Sequence, residues 1–225
     1  MENEKPLLFT IGHSVHSLEH FVNILKLNDI KAIADVRALP YSKFTPQFNR
    51  EGLQEFLKGE DIDYIFSGKE LGARWKNPEC YSSNKVIFSK VANMKPFQEG
   101  LLQLAEVASR MRTAIMCAEK DPLACHRTLL VARYGKKHFS DIRHILEDGT
   151  VESGRHADQR LLAAYHLDAE DLFSSGEERL NIAYTKRAEK IAYEEEQDDT
   201  LGRLSVNSHE RIDVQAPEER NIGEP

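Results

Sequence analysis

The sequence is poor in cysteine, in tryptophan and in long apolar runs. Its 225 residues include three cysteines and one tryptophan. Three cysteines are too few, and odd in number, for the disulfide framework of a small secreted domain. A cytoplasmic, reducing compartment is therefore expected, where clustered cysteines read as catalytic or metal-binding rather than as staples. No apolar run approaches the roughly 20 residues of a membrane span, so no membrane partner is expected. The opening MENEKPLLFTIG is acidic with a short apolar part, unlike a secretory signal. Excess positive charge is also missing. The formal net charge is −7, yet residues 1–170 hold 23 basic and 23 acidic side chains, so the last 55 residues supply the whole excess. A neutral body lacks a strong general attraction to nucleic acid.

What is present is an alternation of strand-like and helix-like segments. PLLFTIG, IKAIADVR, IDYIFSG, RTAIMCAE and the start of SDIRHILEDGT are apolar runs bounded by turn residues. Between them lie periodic segments. Leu18, Phe21, Val22 and Leu25 share one helical face behind Ser17, whose hydroxyl can cap the first turn. Leu53, Phe56 and Leu57 mark a second helix, KPFQEGLLQLAEVASRM a third, and PLACHRTLLVARYG a fourth that is expected to end at Gly135. This pattern predicts an α/β fold: a three-layer, Rossmann-like, mostly parallel sheet with helices on both faces. Residues 1–170 are assigned to that domain. Residues 171–225 are expected to form an acidic, charged helix followed, from Thr200, by a disordered tail.

Sheets of this kind bind ligands at the carboxyl ends of their strands. Chemically active residues collect there: Gly12, His13 and Ser14 after the first strand, Asp35 and Arg37 after the second, Leu71 and Gly72 after the third. After the fourth come Cys117 and Glu119, then Cys125, His126 and Arg127. The loop RALPYSKFTPQFNR adds Lys43, Phe44, Phe48 and Arg50, basic groups interleaved with aromatics as suits a nucleotide or single strand. Each group has a plainer alternative: a turn and cap for Gly12–Ser14, a structural ion pair for Asp35 and Arg37, core packing for Cys117 and the aromatics.

Three chemical readings of the cluster stay open. In the first, an enzyme acts on a phosphate-bearing small molecule or nucleic acid. Cys117, Glu119, Cys125 and His126 are then the candidate catalytic groups, and Arg127 and Arg37 the phosphate holders at a helix N-terminus. The second is a metal site drawn from Cys117, Cys125, His13 and His126. No metal ligand is assigned, because adjacent Cys125 and His126 would diverge by about 100° on a helix. The third is a dithiol that closes to a disulfide. The last two together make the alternative function, a non-catalytic metal- or redox-responsive binding module. No pattern names a cofactor or an oligomeric state.

TIGHS, DVRALPYSKFTPQFN, ELGARW and MCAEKDPLACHR, followed by HIL, resemble in order and spacing the domain of unknown function 488 family. The likeness spans about residues 7–148, with Ala73 where the family usually has a second glycine. The resemblance implies a small cytosolic α/β domain, found mainly in prokaryotes, with a shared site and no established reaction.

Overall fold

The computed structural model describes residues 4–169 and 174–195. Its strands are β1 (Leu7–Gly12), β2 (Ala32–Asp35), β3 (Asp63–Phe66), β4 (Tyr81–Ser82), β5 (Lys85–Val86), β6 (Thr113–Cys117), β7 (Asp141–Ile145) and β8 (Val151–Ser153). Its α-helices are α1 (Leu18–Leu27), α2 (Arg50–Gly59), α3 (Gly68–Leu71), α4 (Phe88–Ala92), α5 (Lys95–Arg110), α6 (Arg133–Gly135), α7 (Gly154–Ala164) and α8 (Gly176–Ile191). Six strands form the central sheet in the order β3-β2-β6-β1-β7-β8. All pairings are parallel except the edge pair β7–β8. β4 and β5 make a separate antiparallel hairpin.

β2 and β6 are buried along their whole length, and β1 from Leu8 onward. That is why these segments read as continuous apolar runs rather than as alternating ones. Phe9, Ile11 and Ile33 face a layer made with Phe21, Ile24 and Leu25 of α1 and Leu53 and Leu57 of α2. Leu8, Ala34 and Ile115 face the opposite layer, which holds Val91 of α4, Phe97 and Leu101 of α5, and Leu129 and Leu130 of the segment after β6. The three-layer α/β fold expected from the sequence is the fold observed. Ser17 caps α1 as its position suggested, accepting from the His20 backbone N–H.

This layering sets the site. The chain leaves β1 for one face of the sheet, through α1, and leaves its neighbour β6 for the other, through the segment containing Leu129. Gly12 and Cys117, the last residues of these strands, are register partners. A crevice at the carboxyl ends of such a pair is where doubly wound sheets place ligands.

Three expectations need correction. The helix expected from Pro122 to Gly135 is broken. Pro122–Ala124 is a 3-10 turn capped by the Asp121 carboxylate, Cys125 is extended (φ −137°, ψ 144°), and a π-helical segment runs from Arg127 to Ala132 before α6. Between β7 and residue 171 the sequence pattern predicts no further element, but β8 and α7 follow, with the Ser153 hydroxyl capping α7. Finally, the compact unit extends past residue 170 to Glu194. The Ser175–Glu178 capping box starts α8, and its Ala183 packs with Leu123, Ala157 and Leu161. Tyr184 donates to Asp158 Oδ1 at 2.7 Å and Arg187 to the Leu123 carbonyl at 2.6 Å. Small apolar residues on a charged helix gave a weak periodic signal, yet they bury well against α7. The tail from Thr200 lies outside the described residues. Among the described residues, no helix is long and apolar enough to cross a membrane.

Candidate functional site: a buried dithiol and histidine

The loops after β1 and β6 are stitched together by backbone bonds. His13 N–H donates to the Cys117 carbonyl and Ser14 N–H to the Ala118 carbonyl, both at 2.9 Å. A Cβ on Gly12 would lie 1.9 Å from the Glu119 carbonyl oxygen, so only glycine permits this approach. Ser14 has a left-handed backbone, φ 48°, and its carbonyl accepts from His13 Nδ1 at 2.9 Å.

Arg127 fixes the second loop from behind. It is fully buried, and its two terminal nitrogens donate to the Glu119 and Lys120 carbonyls. The bidentate fork expected to hold a phosphate is thus engaged by the protein's own backbone; only Nε has no partner. Arg37 is engaged too. Its guanidinium chelates Asp35, with NH2 to Oδ2 at 2.6 Å, and also donates to the Phe48 carbonyl at 2.9 Å and to His13 Nε2 at 3.1 Å. Asp35 is completely buried and accepts a further 2.6 Å bond from the Tyr64 hydroxyl. Burial and the neighbouring Asp35 charge push the Tyr64 phenol upward. The plainer reading of Asp35 and Arg37, a structural ion pair, describes this geometry.

With both ring nitrogens bonded and Arg37 alongside, His13 is not free to ligate a metal. Burial, then the Arg37 charge, lowers its pKa to about 4. His144 on β7 behaves alike: burial, then the Arg127 charge, takes it to about 4. Both lie below the ordinary 6.5, so the unfolded chain binds more protons between pH 6.5 and 4. Stability from these two groups is therefore complete above pH 6.5 and is lost as pH falls toward 4, on the order of 3 kcal/mol for each. Urea midpoints should drop already between pH 6.5 and 5.5, above the range in which carboxylates titrate. Midpoints that stay level across that interval would show that these rings are not held neutral.

Cys117, Cys125 and His126 form the centre of the site. All three are buried. Because Cys125 is extended and outside the helix, its side chain does not diverge from that of His126, and the expectation against joint ligation is overturned. His126 Nδ1 lies 3.5 Å from Cys117 Sγ and 3.9 Å from Cys125 Sγ. On its far side, Nε2 donates to the Val36 carbonyl at 2.9 Å. A carbonyl can only accept, so Nε2 carries a proton, and Nδ1 faces the two sulfurs. The two thiols are shifted in opposite directions. Burial alone would raise Cys125, but the bond from Cys117, the Arg127 charge and His126 outweigh it and hold that thiol well below its ordinary range. Cys117 is pushed well above that range by its bond to Cys125 and by burial.

The other expected site residues are placed differently. Glu119 joins the site through its carbonyl alone; its carboxylate is exposed and has no hydrogen bond to the cluster. Leu71 is in the core, and Gly72 is wedged against Ala38 and the Gly68 carbonyl, where a Cβ would have no room. Phe48 is buried, stacked on His13 at 4.3 Å. Arg50 lies over the Phe66 ring. Lys43 and Phe44 stand exposed at the tip of their loop, Phe44 at 97%. Tyr64, the Val36 carbonyl and His144 were missed. Tyr64 sits beside Ile33 through strand pairing, a neighbour that no local spacing encodes.

Comparison with known proteins adds one match. Neither the curated proteins nor the solved structures give any. A family model described as "Domain of unknown function DUF488" matches residues 17–134, a span that takes in α1, the Asp35–Arg37 pair, and all three residues of the thiol cluster. Since this match covers just over half of the chain, the protein belongs to the DUF488 family.

Proposed function

We propose that Cys117, Cys125 and His126 hold a borderline-soft divalent cation, with Zn2+ the ion best suited to two thiolates and an imidazole, and that the protein works as a metal-dependent module. The observation that carries this reading is the spacing of the donor atoms. Nδ1 is 3.5 and 3.9 Å from the two sulfurs, and all three atoms lie within 4.8 Å of one another. Tetrahedral zinc, with Zn–S about 2.3 Å and Zn–N about 2.0 Å, sets its ligand atoms roughly 3.5–3.8 Å apart. The bond from His126 Nε2 to the Val36 carbonyl is the outer partner that metal-bound histidines usually have. Three protein ligands leave a fourth position for water or substrate, the pattern of catalytic rather than structural zinc. Such an ion lowers the pKa of its bound water to about 7, which makes hydrolytic chemistry accessible.

A second reading rests on the unequal thiols. A low-pKa thiolate beside a protonated thiol suits disulfide exchange. Glutathione disulfide would be reduced to two glutathiones as the two cysteines join, their protons and electrons passing to the released thiols. A phosphate-bearing substrate is supported less well, because Arg37 and Arg127 are engaged within the protein. What supports a nucleotide or nucleic-acid partner is the exposed Lys43–Phe44 tip.

Metal analysis decides between the first two readings. The chain is stripped with chelator under reductant, then dialysed against Zn2+. One ion per chain is expected, with Cys117 and Cys125 both shielded from alkylation. Cys117→Ser and Cys125→Ser should lose the ion, and Cys80→Ser should keep it. Zinc-free protein that forms a Cys117–Cys125 disulfide with glutathione disulfide would favour the redox reading instead.

A further inference from the structure

A cavity of about 350 Å³ lies between β7, α7, α8 and the π-helical segment. It shares no lining residue with the thiol cluster. Its volume falls at the lower end of small-molecule sites. The wall is two-sided in character. Phe139 and Ile142 supply apolar surface, while Arg133, Lys136 and Arg155 supply positive charge. Two carboxylates also reach the wall, Asp141 and Asp158, and both have partners. Asp141 accepts from Arg143 and from the Ile142 backbone N–H, and Asp158 accepts from the Tyr184 hydroxyl and pairs at 3.9 Å with Lys136. Arg155 is exposed, and among the described residues it has no ion pair.

Two buried polar groups support the reading that something binds here. His144 lines the cavity at 2% exposure. Its Nδ1 is bonded to the Thr10 hydroxyl at 2.9 Å. That hydroxyl is fully buried and has no other partner, so its proton must go to Nδ1. The neutral ring then carries its own proton on Nε2, a donor with no partner in the described protein. The Thr128 hydroxyl in the same wall is buried with no partner among the described residues; an unmade bond there costs free energy, and an anion in the cavity would supply an acceptor.

We infer that this cavity binds a small organic anion, a phosphate or carboxylate head on a compact apolar body. The head would meet Arg155, Lys136 and His144 Nε2–H, and the body would lie against Phe139 and Ile142. The inference is independent of the metal reading.

Phenyl phosphate is the probe, titrated into the full chain and followed by calorimetry and by the ¹⁵N resonances of the His144 ring. Saturable binding is expected, with the His144 Nε2 signal moving in step with the heat. Inorganic phosphate should bind more weakly, because it lacks the apolar body. Arg155→Ala should weaken phenyl phosphate about tenfold, a change of about 1.4 kcal/mol. Arg155 is exposed, so this variant should fold like the parent; Lys136→Ala gives a second, separate loss. The inference is overturned if phenyl phosphate does not saturate, if Arg155→Ala and Lys136→Ala both bind it as well as the parent, or if His144 is unmoved while binding occurs.

Discussion

Arg37→Ala should lower the stability of the protein by about 3–5 kcal/mol, the usual loss when one member of a buried ion pair is removed. For a chain of this size that corresponds to a fall in Tm on the order of 10 °C. The reason is the partner left behind. Asp35 has no exposed surface, and Arg37 provides its counter-charge and, through Nε, NH2 and its backbone N–H, most of its hydrogen bonds. Only the Tyr64 hydroxyl and the residue-37 backbone N–H, both neutral donors, would remain on the carboxylate. The same substitution frees the Phe48 carbonyl and His13 Nε2, both of which accept from the guanidinium. Replacing both members, Asp35→Leu with Arg37→Leu, should recover part of the loss, because no uncompensated charge is then buried. A single variant that unfolds within about 1 kcal/mol of the parent, the range of an exposed pair, would mean that this network is open to water.

Gly12→Ala should be comparably severe, and its effect should reach the thiols. The new methyl would sit 1.9 Å from the Glu119 carbonyl oxygen and 2.8 Å from its carbon. Those atoms are backbone and cannot swing aside as a side chain would. Relief requires the loop after β6 to move away from β1, which strains the His13–Cys117 and Ser14–Ala118 bonds and the Arg127 clamp on the same carbonyl. Overpacking typically costs 1–3 kcal/mol, and the lost bonds add about 1 kcal/mol each. Because Cys117 begins this loop and Cys125 ends it, zinc affinity should fall along with stability. Chemical denaturation and a competitive zinc titration of the same variant test both halves. Unchanged stability together with unchanged affinity would show that the close approach of the two loops is not what positions the cysteines.

Much of this architecture was legible in the sequence because burial writes itself into local pattern. The doubly buried strands, such as Leu8–Ile11 and Ala32–Ala34, stand out as apolar runs, and Ser17 announces α1. The collection of polar residues past each strand end follows from the alternation itself. What stayed hidden depends on tertiary placement. Pro122 correctly signals a helical start, but the turn it opens lasts three residues and gives way to an extended Cys125. Nothing local marks that break, and the break is what lets Cys125 and His126 face one point. Arg127 looked like a ligand-binding residue because its bidentate fork falls at an expected helix N-terminus; here it is fully buried and holds the Glu119 and Lys120 carbonyls. Phe48 and Leu71 could as well have lined a cleft, and only packing against α1, α2 and α5 assigns them to the core.

X-ray absorption at the zinc edge tests the central claim most directly. Protein reconstituted with one equivalent of Zn2+ should give two sulfur neighbours at about 2.3 Å and one imidazole nitrogen at about 2.0 Å, with a light fourth ligand. In Cys125→Ser the sulfur count should fall to one. A first shell built only from oxygen and nitrogen, or one unchanged in Cys125→Ser, would contradict the assignment of Cys117, Cys125 and His126 as a metal centre.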